Sequence, residues 1–312
     1  METVFTYNTP HLVYWDWRIA MDLFLGGTGV GAFLVAAFNS LHYKDRFPLI
    51  SKVGAVLSPL LVALGLVFLI TELGHPLRMW RTIAGFNISS PLSWGGLFQG
   101  LMIGIGGLYA LVWLWPGLAR FRRVVGVLGI PVALIVGAYH GWLLTIVTAR
   151  PLWNTGPATV AALLSFAITG MAAILLVVCL LGQAQRSRPG TPPSPDRGAR
   201  MLWMIRDFRS ILILAMIAQG FTFFIWWISL YYGSHDARAA LAAANQATGP
   251  LFWIVGIGVG LIIPIVLQLV DMLLYARTSH EVSLGLTVFT VVLILVGGFV
   301  FRYAVVIGGQ VY

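Results

Sequence analysis

Charged residues are scarce in this chain and cysteine is almost absent. Charged side chains make up 9% of the 312 residues, and 59% are hydrophobic. A soluble domain carries roughly 25% charged residues, so this composition excludes an ordinary soluble protein and predicts a membrane protein. The single cysteine, Cys179, lies in an apolar run and lacks a second cysteine for a disulfide or a metal cluster. We therefore expect no metal in this chain, and expect any iron–sulfur or zinc centre to belong to another subunit.

Eight apolar runs are each long enough to cross a bilayer, which takes about 20 residues. Backbone polar groups cannot face lipid unpaired, so these runs should be helices. The predicted spans are 19–41, 51–73, 94–115, 124–148, 157–182, 208–232, 250–275 and 282–308. The proline-rich segment 183–200 predicts a flexible cytoplasmic linker between the fifth and sixth spans. The sequence thus predicts an all-α membrane protein, with residues 1–312 forming a single integral membrane domain.

The basic residues are distributed unevenly between the loops. Although the net charge is +9, Lys and Arg lie between apolar runs, so we expect membrane lipid rather than nucleic acid as the partner of this charge. Loops one, three, five and seven with their flanks hold 13 of the 19 basic residues. The positive-inside rule makes these loops cytoplasmic and places both termini outside. We expect the cytoplasmic (inner) membrane of a bacterium or archaeon.

Small and aromatic residues in and around the spans favour structural roles. Glycines 26, 27, 29 and 31 suit close helix packing, and because no strand precedes them they do not indicate a dinucleotide site. Several tryptophans fit an aromatic belt at the membrane interface better than a platform for ring stacking. They are Trp15, Trp17, Trp80, Trp94 and Trp153.

Ionisable side chains at membrane depth are costly and need a reason. Asp22 lies five residues, or about 8 Å, inside the outer end of the first span. On the predicted topology, further polar side chains lie on the same side of the bilayer. They are Glu72, His75, Tyr139, His140 and Arg302. We therefore expect these residues to converge in the outer half of the membrane.

This group of side chains matches what a quinone head group requires. A quinone has two carbonyls that become hydroxyls on reduction, so it needs hydrogen-bonding groups and a titratable group for protons. We predict that Asp22 and His140 exchange protons as catalytic groups and that Tyr139 binds a carbonyl and stacks on the ring. In the structural alternative, the histidine and tyrosine satisfy hydrogen bonds between helices.

Supporting roles are expected for the other outer residues. Glu72 and Arg78 could form an ion pair near His75 that holds the outer loop, and Arg302 could pair with Asp22 or Glu72. On the cytoplasmic side, four polar residues could line a proton path, or serve only in helix packing. They are Gln219, Gln268, Asp271 and Asn39.

Three stretches of the sequence resemble the polysulfide reductase membrane subunit (NrfD/PsrC-like) family. The second span and its outer loop read Glu72-Leu-Gly-His-Pro-Leu-Arg78 and then Pro91-Leu-Ser-Trp94-Gly. The fourth span has Tyr139-His-Gly-Trp-Leu-Leu followed by Pro151-Leu-Trp153, and the last span ends Gly297-Gly-Phe-Val-Phe-Arg302. These are similar to the family's acidic-Leu-Gly-x-Pro-x-Arg, Ser-Pro-x-Ser-Trp-Gly, Tyr-x-Gly-x-Leu-Leu, Pro-x-Trp and terminal Gly-Gly and Arg patterns. The resemblance covers essentially the whole chain.

The resemblance implies eight helices in two four-helix bundles. It also implies a site for menaquinone or ubiquinone at the outer face, with no haem or metal in this chain. The implied partners are a ferredoxin-like iron–sulfur subunit and a catalytic subunit, either a molybdopterin enzyme or a multihaem cytochrome. Tyr139 matches a quinone-contacting tyrosine of the family, whereas Asp22 stands where the family has a histidine.

The leading hypothesis is therefore a quinone-linked oxidoreductase subunit, not catalytic alone, in which proton translocation can accompany electron transfer. A haem b anchor would need two interior histidines on facing helices, and only His140 is clearly interior. A secondary transporter is a second alternative, since Pro59, Pro131 and Pro264 could break spans. A purely structural membrane anchor is a third.

Overall fold

The computed structural model describes most of the chain. The described residues are 15–42, 47–72, 75–147, 149–186, 195–278 and 283–312. In this part of the protein the secondary structure is almost entirely helical and contains no strand. The prediction of an all-α protein is confirmed.

Eight helices are long and apolar enough to cross a membrane within the described residues. This confirms the predicted number of spans. Seven of them are α1 Trp17–His42, α2 Pro48–Glu72, α4 Pro91–Leu114, α5 Arg122–Thr145, α6 Gly156–Arg186, α7 Pro195–Tyr231 and α10 Leu284–Gly308. The eighth is made of α8 His235–Pro250 and α9 Ile263–Thr278, and a short α3 lies at Trp80–Ala84. A π-helical segment, Leu251–Ile262, joins α8 to α9, so these three form one continuous helix that begins before the predicted seventh span.

Several helices begin at recognisable capping residues. The side chains of Ser90, Ser234 and Ser283 each accept a hydrogen bond from a backbone N–H in the first turn of α4, α8 and α10. Pro59 and Pro131 lie within α2 and α5, and both helices continue through them. The helix breaks that a transporter would favour do not occur at these two prolines.

The predicted linker 183–200 lies between α6 and α7. The two helices extend into its ends, as α6 reaches Arg186 and α7 starts at Pro195. Residues 187–194 lie outside the described residues, so the flexibility of the linker stays a prediction.

The spans pack as two four-helix bundles. The first bundle consists of α1, α2, α4 and α5, and the second of α6, α7, the α8–α9 span and α10. The bundles meet along α1 and α6, where the backbones come close. A Cβ added to Gly31 would collide with the backbone oxygen of Phe166, and one added to Gly27 with its ring. The predicted role of the α1 glycines in close helix packing is confirmed at these positions.

The loop between α5 and α6 folds back onto the bundle and contradicts one prediction. Trp153 is 3% exposed, stacks on Trp15 at 5.2 Å between ring centroids, and donates its Nε1–H to the Val305 carbonyl at 2.8 Å. It is therefore a buried packing residue and not part of an interfacial belt. Trp17 and Trp80 are exposed, as a belt would require.

Candidate functional site

Three polar side chains meet inside the first bundle, near the end where α1 begins, which we call the Trp17 end. Asp22 of α1, Gln99 of α4 and His140 of α5 are at most 2% exposed. The Gln99 Nε2 lies 3.4 Å from each carboxylate oxygen of Asp22 and 3.2 Å from the His140 Nε2. The structure thus brings Asp22 and His140 together as predicted, but with the amide of Gln99 between them.

Glycines make room for this cluster. A Cβ on Gly26 would lie 3.0 Å from His140 Cε1, and one on Gly65 would lie 3.0 Å from the Asp22 Oδ1. These are tighter than ordinary contacts, so larger residues would push the polar side chains apart. The role of Gln99 was missed by the sequence prediction, although a glutamine inside a predicted span was a signal for it.

His140 and Arg302 line one cavity between the two bundles, which we call the His140 cavity. It encloses about 480 Å³ including its opening, and its other walls are apolar and aromatic side chains such as Phe166 and Trp226. Arg302 reaches it from α10, His140 from α5. Two polar groups that converge in a mostly apolar pocket are typical of a small-molecule site.

Arg302 is buried without the predicted carboxylate partner. It is 5% exposed, and no salt bridge joins it to Asp22, Glu72 or another acid among the described residues. Its Nη1 donates to the Gly298 carbonyl at 2.7 Å, while its guanidinium carbon lies 5.1 Å from the centroid of the Phe166 ring. The Nη2 has no hydrogen-bond partner in the described part of the protein, so it is available to a ligand.

Tyr139 lies next to His140 in sequence but points to different neighbours. Its hydroxyl donates to the Pro91 carbonyl at 3.0 Å, which ties α5 to the start of α4. Its ring packs against Phe98 at 5.9 Å. Tyr139 is 4% exposed and is not among the residues that line the His140 cavity. Its assignment as a quinone contact stays a prediction.

The ion pair at the end of α2 differs from the one expected. Glu72 pairs with Arg18 at 2.6 Å, not with Arg78. Arg18 also pairs with Asp16 at 2.8 Å, and its hydrogen bond holds the pKa of that carboxyl below its usual range. Arg78 and His75 are exposed in the following loop. The reason is geometric, because Arg18 at the start of α1 lies beside the end of the antiparallel α2.

The four residues of the predicted proton path fall into two separate groups. Asn39 belongs to the first bundle, where its Nδ2 donates to the Phe47 carbonyl and the Ser51 hydroxyl. The other three lie in the second bundle. Gln219 and Gln268 are buried, and neither amide has a hydrogen-bond partner among the described residues. Asp271 pairs with Arg209 at 2.6 Å.

A further cavity, which we call the Gln219 cavity, lies between α6, α7, the π-helical segment and α10. Ser165, Thr169, Gln219 and Gly298 line it, and it encloses about 320 Å³ including its opening. Gly298 is also the residue whose carbonyl accepts the hydrogen bond from Arg302. Polar groups therefore extend from the His140 cavity into the second bundle.

Comparisons with known proteins cover most or nearly all of the chain. The chain matches the family described as polysulphide reductase, NrfD, over residues 6–312. It is 29% identical to a polysulfide reductase chain of Wolinella succinogenes, with 98% of this chain and 96% of that protein covered. It is 25% identical to a protein NrfD homolog of Haemophilus influenzae, with 97% and 96% covered. It is 24% identical to a selenate reductase subunit of Mesobacillus selenatarsenatis, with 81% and 66% covered.

The family match runs through all eight spans and the loops that join them, well beyond half of the chain. The chain belongs to the polysulphide reductase NrfD family of multi-pass membrane proteins.

Proposed function

We propose that this chain binds quinone in the His140 cavity and passes electrons between quinol and an iron–sulfur partner subunit. The observation that carries the proposal is the pairing of His140 with Arg302 on the wall of one apolar cavity, backed by Asp22 through Gln99. Menaquinone and ubiquinone both fit this chemistry, because each has carbonyl oxygens that need donors and that exchange protons with a titratable group.

Each side chain has a distinct task in this proposal. Bound quinol supplies two electrons and two protons when it is oxidised to quinone. His140 accepts the two protons one after the other as the two electrons leave for the iron–sulfur partner, and the unpaired Nη2 of Arg302 donates to a quinone oxygen. The amide of Gln99 contacts the His140 Nε2, so it helps to fix the proton position on the ring. Asp22 serves as the proton exchanger behind His140.

The names of two relatives support a proposal for the partner subunits of this chain. The relatives from Wolinella succinogenes and Mesobacillus selenatarsenatis are, by name, parts of a polysulfide reductase and a selenate reductase. We infer that this chain likewise joins an iron–sulfur subunit and a catalytic subunit, either a molybdopterin enzyme or a multihaem cytochrome. The Trp17 end would then face the outside of the cytoplasmic membrane, with both termini on that side.

Replacing Tyr139 with phenylalanine tests where the quinone ring lies. The change removes one hydrogen bond, worth about 1 kcal/mol, so quinol-dependent electron transfer should fall about fivefold or less if Tyr139 only positions α5. The measurement is the rate of quinol oxidation by membranes that hold the assembled complex. A loss of about 100-fold or more would make Tyr139 a direct quinone contact. No quinol-dependent activity in the unmodified complex would favour the structural-anchor alternative.

We further propose a proton route through the second bundle from the opposite, His42 end. Arg209 and Gln219 of α7 lie ten residues, or about 15 Å, apart along the helix axis. Gln268 and Asp271 lie on α9, and Asp271 contacts Arg209. Water that bridges such buried polar groups can carry protons towards the Gln219 cavity and Arg302. Asn39, in the first bundle, lies outside this route.

Replacing Gln268 with leucine should uncouple proton movement from electron transfer. Leucine keeps a similar shape and removes two polar groups that lack partners among the described residues, so the fold should tolerate it. In proteoliposomes with the complete complex, the number of protons moved per quinol should fall at least about tenfold, since protons have lost a bridging group. Asn39→Leu serves as the control and should leave this ratio unchanged. An unchanged ratio in Gln268→Leu would contradict the route.

A further inference from the structure

A second apolar cavity opens beside the proposed quinone site, between α7, α8, the π-helical segment and α10. We call it the Trp253 cavity. It has a volume of about 430 Å³ when the open space at its mouth is included. Its walls are aromatic and aliphatic, with Phe223, Trp227, Phe252 and Trp253 among them. Such walls suit an apolar ligand that makes few hydrogen bonds.

The Trp253 cavity adjoins the His140 cavity. Trp226 and Val305 line both. Trp226 is 4% exposed, and its ring centroid lies 6.0 Å from that of Phe252 in one cavity wall and 6.4 Å from that of Phe301 in the other. One indole ring and one valine therefore form the shared wall, so a small shift of Trp226 would join the two spaces.

The outer rim of the Trp253 cavity is exposed on a membrane-spanning segment. Trp253 is 41% exposed, and its Nε1–H donates to the Asn245 Oδ1 at 3.0 Å across the rim. Small residues of α8, Ala244 and Gly249, line the cavity and leave it space. Trp253 is the fourth residue of the predicted seventh span, and Asn245 lies in the polar helix before it. The rim thus opens at the predicted outer edge of the lipid, and the interior leads towards His140 and Arg302.

We propose that the Trp253 cavity holds the isoprenoid tail of the quinone whose ring lies in the His140 cavity. The quinone would enter sideways from lipid between α7 and α8 and pass Trp226. This proposal rests on the proposed function, because it takes the same molecule for both cavities. A molecule with one polar ring and one long branched apolar tail matches two adjoining apolar cavities of which one carries a histidine and an arginine. A phospholipid acyl group matches only the Trp253 cavity.

The test compares a tailed quinone with a tail-less one. Gly249→Phe fills the Trp253 cavity, and the position accepts a side chain because an added Cβ would meet nothing closer than Asn245 Cβ at 3.6 Å. The dissociation constants of menaquinone and of menadione are measured with the full chain in lipid nanodiscs, by quenching of tryptophan fluorescence. We expect Gly249→Phe to weaken menaquinone binding at least about tenfold and to leave menadione binding unchanged.

Two controls make the result decisive. Gly104→Phe makes the same change on α4, where an added Cβ has nothing within 4 Å, and should alter neither constant. Leu241→Trp narrows the cavity from another side and should reproduce the effect if Gly249→Phe misfolds. If Gly249→Phe weakens the binding of menaquinone and menadione equally, or leaves menaquinone binding unchanged, the tail site is overturned. If the only effect of Gly249→Phe is that less phospholipid co-purifies with the protein, the cavity is a lipid site. If the unmodified protein binds neither quinone, the proposed function itself fails.

Discussion

Replacing His140 with phenylalanine should lower quinol-dependent electron transfer by about 100-fold or more, the range by which general acid–base catalysis contributes to rates. His140 is the one buried histidine in the described part of the protein, and it lines the cavity with Arg302. Phenylalanine keeps a ring of similar size beside Phe166 and removes both nitrogens. The measurement is the steady-state rate with a quinol in membranes, normalised to the amount of assembled complex.

His75→Phe is the matched control for this experiment. His75 lies exposed in the loop after α2, at the same end of the bundle, and makes no capping hydrogen bond. Its replacement should leave the rate within about twofold, since exposed positions rarely change stability by more than about 0.5 kcal/mol. Wild-type activity in His140→Phe would show that protons leave the quinol by another route, and would remove the basis of the proposed site.

The eight spans could be predicted because the thickness of the bilayer sets the length of an apolar run. The seventh span was predicted less well. Its helix starts at His235, in a polar segment where hydropathy is low, and Pro250 marked the predicted start although the structure keeps it inside the helix. The membrane determines how long a helix must be apolar, but it does not determine where the helix ends.

The partners of the buried polar residues were harder to predict. The sequence indicates that Asp22 and His140 lie at similar depth, but depth alone does not show which helix faces they occupy. That depends on how closely the helices approach, and here Gly26 and Gly65 set the approach. Gln99 enters the cluster through the same packing. The Glu72–Arg18 pair was missed for a related reason, since its two residues lie on different helices.

Arg209 shows that the role of a basic residue cannot be predicted from its position near the end of a span alone. It is one of the 13 basic residues of the odd-numbered loops and their flanks on which the predicted orientation rests. The structure buries it to 2% exposure and pairs it with Asp271 across α7 and α9. Orientation signals and buried ion pairs use the same residue types near the ends of spans, so the sequence alone does not separate them.

The two buried arginines should respond to the same substitution in opposite directions. Arg302→Met removes a guanidinium that has no acidic partner among the described residues, and burying such a charge costs several kcal/mol. The substitution also removes a hydrogen bond and ring contacts, each worth about 1–2 kcal/mol. We expect the free energy of unfolding to rise by about 1–3 kcal/mol as the net effect. Quinol-dependent electron transfer should fall about 100-fold, because a donor to the quinone oxygen is lost.

Arg209→Met should instead lower the free energy of unfolding by about 1–3 kcal/mol, because it leaves the partly buried Asp271 carboxylate in place without its partner. Unfolding in mixed detergent micelles, followed by circular dichroism, gives both values under one condition. A buried arginine without an acidic partner lowers the stability of the fold, and a residue that is kept in spite of such a cost is typical of a functional site. If Arg302→Met destabilised the protein as much as Arg209→Met, Arg302 would be a packing residue, and the proposed donor to quinone would have to be sought elsewhere on the cavity wall.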